Sequence, residues 1–169
     1  GGTSGTIHKC SLDKIIYWMG SVDESVDNLT YDKDNQLISS SYHTYKWNNH
    51  NICEYTDEEN PSGPLTTYVS YTDKPNLLNI DWVSSLVFPI PDLLIYVYDG
   101  GITENLPGST TCSYVGGEGE TKETITEHRQ FTYEYDQDGY VVKMQYNYES
   151  LSSRPDRFTV IYDFEYEYY

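Results

Sequence analysis

The chain has 169 residues, with 27 Asp and Glu against 10 Lys and Arg and a net charge of −17. So acidic a surface repels phosphate backbones and anionic lipid, which argues against nucleic acid as a partner. Tyrosine is the outlier, at 19 residues, and aromatic residues in such number suit a pleated, half-buried sheet and oppose disorder.

The length suits one domain, expected over 7–169 behind a flexible tail at 1–6. Cys10, Cys53 and Cys112 form no CxxC. An odd count allows at most one internal bridge, and the spacing resembles neither a disulfide framework nor a zinc site, so their pairing stays open. No apolar run reaches the length of a membrane-spanning helix, and no signal peptide is visible. The start at Gly1-Gly2-Thr3-Ser4-Gly5 has the look of a trimmed end, before which an export signal could have stood.

In chain order, Lys14–Met19 reads as a strand and Asp23–Asn28 as a polar loop. His43–Trp47 and Ile52–Tyr55 flank Asn48-Asn49-His50-Asn51, which predicts a hairpin with a four-residue loop. Tyr45 and Trp47 fall on the opposite parity from Ile38 and Tyr42, and a bulge would reconcile them. A Pro/Gly loop at Asp57–Pro64 leads to a strand at Thr66–Thr72. Leu78, Trp82 and Leu86 share helical spacing, so a short helix is expected near 77–86, ended by Pro89 and Pro91. Leu93–Tyr98 and Thr110–Val115 read as strands, with a Gly/Glu loop at Gly116–Glu123.

The clearest hairpin runs from Glu127 to Glu149. Phe131, Tyr133 and Tyr135 alternate with polar residues on the way in, and Tyr140, Val142, Met144, Tyr146 and Tyr148 on the way out. Between them lies Asp136-Gln137-Asp138-Gly139. Face matching predicts a four-residue loop with Tyr135 opposite Tyr140, Tyr133 opposite Val142 and Phe131 opposite Met144. Tyr31-Asp32-Lys33-Asp34-Asn35-Gln36-Leu37-Ile38 repeats the pattern, Asn35 standing where the other copy has Gly139. Ser150–Asp156 is a loop, and Phe158–Tyr168 is a last strand that pairs naturally with Tyr140–Glu149. Short strands joined by tight turns specify an all-β fold: an antiparallel meander forming a strongly curled open sheet or a barrel-like structure.

Candidate chemistry is sparse. Asp32-x-Asp34 and Asp136-x-Asp138-Gly139 offer oxygen ligands, but the twelfth loop position is His43 in one copy and Asn147 in the other, not the acid a calcium loop needs. Asp32, Asp34, Asn35, Asp136, Asp138 and Gly139 are therefore read as turn-forming residues. His8, Cys10, His43 and His50 have no metal-ligand spacing, and no nucleophile motif is present, so no metal, cofactor or catalytic residue is assigned. The acids at Asp163, Glu165 and Glu167 read as the wet face of a strand. Trp18, Trp47 and Trp82 are the candidate stacking surfaces for sugar rings, against the simpler reading that they are core.

The Tyr-Asp-x-Asp-Gly-Tyr-Val-Val-Lys run behind Phe131–Tyr135, its copy at Tyr31–Ile38, and Asn105-Leu106-Pro107 ahead of a strand resemble a family of exported Bacteroides proteins. That resemblance implies a β-rich, porin-like sheet, an address in the periplasm or at the outer-membrane surface, and frequent lipid anchoring. It brings no catalytic residues. The faces opposite the aromatic rows carry Glu134, Lys143, Gln145, Asp163 and Glu165, so the sheet is not expected to span lipid. Attachment would come at most through a lipid on a removed N-terminal segment. The leading expectation is an exported, non-catalytic binding or interaction module recognising a glycan or an envelope protein. A structural spacer of a surface assembly is the alternative, and a carboxylate-dependent hydrolase the third.

Overall fold

The computed structural model describes residues 14–19, 23–77 and 102–165, with the backbone alone described before Asn28. β1 (Lys14–Met19) and β2 (Asp23–Asn28) form a two-stranded antiparallel sheet. Asp23–Asn28 is thus a strand, not the expected loop. Pairing with β1 satisfies its backbone whatever its side chains, and a polar hairpin arm needs no buried face.

The remaining strands are β3 (Thr30–Tyr31), β4 (Leu37–Ser39), β5 (His43–Asn48), β6 (Asn51–Asp57), β7 (Leu65–Pro75), β8 (Asn105–Gly116), β9 (Glu123–Tyr135), β10 (Val141–Leu151) and β11 (Arg157–Asp163). They make one nine-stranded antiparallel sheet in strict chain order, with β3 and β11 at its edges. This is the expected all-β meander, and among the described residues it is not closed into a barrel. Asn105-Leu106-Pro107 lies within β8 rather than ahead of it. The 116–123 loop contains a 3-10 turn at Gly119–Thr121. The tail at 1–6, the strand at 93–98 and all of the 77–86 helix except Leu77 lie outside the described residues.

The central hairpin corrects the expected register. Asp136 N–H donates to the Tyr140 carbonyl (2.9 Å) and Gly139 N–H to the Asp136 carbonyl (3.2 Å), with Gly139 at φ +88°. The loop is therefore three residues, Gln137–Gly139. Tyr135 faces Val141, Tyr133 faces Met144 and Phe131 faces Tyr146, with a register shift at Val142. The mismatch of faces is absorbed by a one-residue bulge instead of a longer loop. A left-handed glycine closing a tight turn is the more favourable local solution.

The upstream copy is built identically. Asp32 N–H donates to the Gln36 carbonyl, Asn35 N–H to the Asp32 carbonyl, and Asn35 sits at φ +60°. Tyr31 faces Leu37, Thr30 faces Ser39, and the bulge falls at Ile38, the counterpart of Val142. That bulge switches parity between Ile38 and the β5 row. The β5–β6 turn is a two-residue loop, Asn49-His50, with both φ values positive (48° and 60°), not the expected four. Successive left-handed residues match the twist of the flanking strands. A second bulge at Cys53 then brings Ile52 opposite Trp47 and keeps Tyr55 opposite Tyr45.

These registers sort the sheet into two unlike faces. One gathers Ile52, Tyr55 and Val69 with Tyr45, Trp47 and Tyr71 around them, and Leu106, Phe131, Val141 and Met144 with Tyr133, Tyr135, Tyr146, Tyr162 and Phe164. The other carries cross-strand hydroxyl pairs, Thr56–Thr66 (2.8 Å), Ser70–Ser109 (2.7 Å) and Ser113–Thr126 (2.8 Å). It also carries the ion pairs Lys46–Glu54, Lys143–Glu134 and Arg157–Glu149. Asn51 and Asn105 bond reciprocally (2.9 and 3.0 Å), tying the β5–β6 turn to the start of β8.

Candidate functional site

Alternation along β9 places Ile125, Glu127, Arg129, Phe131, Tyr133 and Tyr135 on the aromatic face. Two charged residues thus continue an otherwise apolar row. β8 sets Cys112 opposite Glu127 and Thr110 opposite Arg129, and β10 sets Ser150 and Tyr148 against the same two residues.

Arg129 Nη2 lies 3.6 Å from Glu127 Oε2, with side-chain exposures of 24% and 20%. The guanidinium carbon stands 5.1 Å from the centre of the Tyr148 ring, within cation–π range. Tyr114 donates its hydroxyl to Glu127 Oε1 at 3.0 Å, and the Cys112 thiol makes a weak 3.9 Å contact with Oε2. Phe158 stacks on the far side of the row, its ring centre 4.5 Å from that of Tyr148. The result is a half-buried ion pair framed by phenols.

Electrostatics follow from that placement. Burial first, and then the hydrogen bond and charge of Glu127, push the Tyr148 phenol up to about 12. Tyr114 is raised by burial and then by its bond to Glu127. The Cys112 thiol is raised by burial and then by the Glu127 charge, the opposite of what an activated nucleophile needs. Burial also raises Tyr55. The phenols here are neutral hydrogen-bond groups at physiological pH. Arg129 supplies a planar fork of donors, Glu127 a planar pair of acceptors, and the rings supply apolar faces. Such a set is suited to hydroxyl-bearing rings. Among the described residues, no group of three or more His, Cys, Asp and Glu is placed to hold a metal ion.

Those residues singled out in the sequence that the structure describes lie elsewhere. Trp47 packs against the Ile52 cluster and donates its indole N–H to the Leu37 carbonyl (2.8 Å). The side chains of Trp18 and Trp82 lie outside the described residues. Asp136 Oδ1 accepts from the Asp138 and Tyr140 amides, each at 2.9 Å, and Asp32 Oδ1 accepts from Asp34 and Gln36 at the same distances. His50 sits in the β5–β6 turn, its Nδ1 3.5 Å from Gln36 Nε2. His43 lies beside Tyr45 with ring centres 6.3 Å apart. Sequence reasoning missed Glu127 and Arg129, although the signal was there: both share the parity of Phe131, Tyr133 and Tyr135.

No protein-family model matches the chain, and no curated protein sequence does. Among solved structures it is similar to a porin-like protein from Bacteroides uniformis, at 14% identity and a TM-score of 0.31, over 88% of this chain and 81% of that one. Likeness at that level leaves the fold and function of this chain to be read from its own residues.

Proposed function

We propose that this chain is a non-catalytic binding module of the cell envelope, recognising a glycan through the aromatic face of its sheet. The supporting observation is the Arg129–Glu127 pair set between Tyr114 and Tyr148 on that face. Planar charged groups beside half-buried rings can bond adjacent hydroxyls of a sugar while the accessible ring faces cover its apolar side. A hydrolase would need carboxylates facing one another across a cleft, whereas Glu127 faces Arg129, Tyr114 and Cys112.

The address in the periplasm or at the outer-membrane surface rests on the likeness of the two Asp-loop hairpins to exported Bacteroides proteins. Ion pairs on the opposite face would be penalised by hydrocarbon, so the module is held at a membrane through an attached lipid if at all.

The test is a glycan array followed by thermal shift on each hit. A ligand at about 100 times its Kd adds ~2.7 kcal/mol, or roughly 5–10 °C in a protein of this size. Arg129→Met and Tyr148→Leu keep apolar bulk and should abolish the shift, with circular dichroism verifying the fold. A shift that survives both substitutions refutes this site. A blank array refutes the glycan and turns the search to a protein partner.

A further inference from the structure

The two edges of the large sheet differ. β3 has two residues, too short to template another chain, while β11 has seven. Phe158 and Ile161 on β11 are 45% and 54% exposed. A long edge with exposed apolar residues invites a further strand.

Among the described residues no strand pairs with its outer side, and the direction of its backbone groups can be read. Phe164 N–H donates to the Val142 carbonyl at 3.0 Å, and the β10–β11 register runs unbroken from Lys143–Asp163 to Glu149–Arg157. Backbone groups alternate sides along a strand, so Phe158, Val160 and Tyr162 turn theirs toward β10. Thr159, Ile161 and Asp163 turn theirs outward, as does Arg157, whose N–H donates to Asp156 Oδ1 at 2.9 Å.

We infer that β11 pairs antiparallel with β11 of a second copy of this chain, about a twofold axis at Val160, making one continuous sheet across the dimer. The sequence Arg157-Phe158-Thr159-Val160-Ile161-Tyr162-Asp163 is complementary to itself in that register. Arg157 meets Asp163 of the other copy at both ends. Phe158 meets Tyr162 on the aromatic face, and Thr159 meets Ile161 on the polar face. The central pairs, Thr159 with Ile161 on either side of the axis, join two outward residues, so their hydrogen bonds can form, and at each end the Asp163 N–H can reach the Arg157 carbonyl of the other copy. A register displaced by one residue in one strand would pair outward with inward groups and lose them. Centring on Thr159 would remove Asp163 from Arg157. Arg157 already bonds Glu149 and would then bridge two carboxylates, one from each copy. This pairing is independent of any ligand on the aromatic face.

The register makes the test specific. Residues at the twofold form a non-hydrogen-bonded pair with Cα atoms about 4.5 Å apart, within disulfide reach. Val160→Cys should therefore cross-link between copies under mild oxidation at least tenfold faster than Thr159→Cys, whose own mate lies two residues out of register. The unsubstituted chain, with Cys10, Cys53 and Cys112, gives the background. Sedimentation should show a monomer–dimer equilibrium whose dissociation constant rises about tenfold in Arg157→Asp and returns in Arg157→Asp/Asp163→Arg. Thermal melts of each variant separate misfolding from dissociation. A chain monomeric at all concentrations overturns the inference. Equal cross-linking at 159 and 160, or an Arg157→Asp loss that the charge exchange does not recover, overturns the register.

Discussion

Replacing Asp136 by alanine removes the acceptor of two backbone bonds, from Asp138 and Tyr140, each at 2.9 Å. Both bonds end on a carboxylate, and a typical bond contributes a net ~0.5–1.5 kcal/mol. The loop is solvated, so water replaces part of what is lost, and the cost should fall at about 1–2 kcal/mol. That is a melting-temperature drop of roughly 3–6 °C for a domain of this size. Asp136→Asn keeps an oxygen acceptor and should cost less than half as much. Asp32→Ala removes the same two bonds, from Asp34 and Gln36, but in a hairpin at the sheet edge. There the loss should fray β3 and β4 locally and leave the global transition nearly unchanged. Denaturant melts measure the global term, and hydrogen exchange at the Tyr140 and Gln36 amides measures the local one. A change under ~0.3 kcal/mol in Asp136→Ala, or an equal global loss from both substitutions, would refute the reasoning.

Two further outcomes follow from the aromatic face. Phe131 is 3% exposed and packs with Leu106, Met144 and Tyr146, so Phe131→Ala should cost about 3–5 kcal/mol in denaturant melts, and a cost below 1 kcal/mol would contradict its place in the core. Tyr148 is held protonated to about 12, and Tyr133, buried with its hydroxyl on the Pro107 carbonyl, is raised too. The unfolded chain ionises these phenols near pH 10 and the folded chain later. Their contribution to stability is thus complete below about pH 10 and is lost as pH rises through the folded values. Tyrosinate absorbance should show a normal class of phenols and a late class released with unfolding. A single class titrating near pH 10 would refute the buried placement.

How far the sequence reached depends on what period-two reasoning can see. Alternation at Phe131–Tyr135, at Tyr140–Tyr148 and along the last strand revealed the hairpins and the meander, because a half-buried sheet imposes that period. It failed at Val142, Ile38 and Cys53. A bulge consumes one residue without a compositional mark, so every pairing beyond it shifts. Asp23–Asn28 was unreadable for another reason: its run of Asp, Glu, Ser, Val, Asp and Asn has no apolar alternation to display. The Glu127–Arg129 pair was legible in principle, since carrying the parity of Phe131 back by two and four residues lands on both. What the sequence hid was that β8 and β10 would crowd that pair with Tyr114, Cys112 and Tyr148, which depends on registers set by bulges elsewhere.

The strict chain order of the nine-stranded sheet has a bearing on how such a protein can lengthen or shorten. Among the described residues each strand in it forms its backbone ladder with its neighbours in sequence alone, so the ladder needs no distant partner. Sheet width is set by how many hairpins are encoded. The Asp-loop hairpin occurs near one end of the sheet and again near the other, with the same turn bonds and the same bulge. It behaves as a transferable unit that carries its own turn and its own face-switching device. Duplication of that unit would widen the sheet, and deletion would narrow it, without redesigning the strands between.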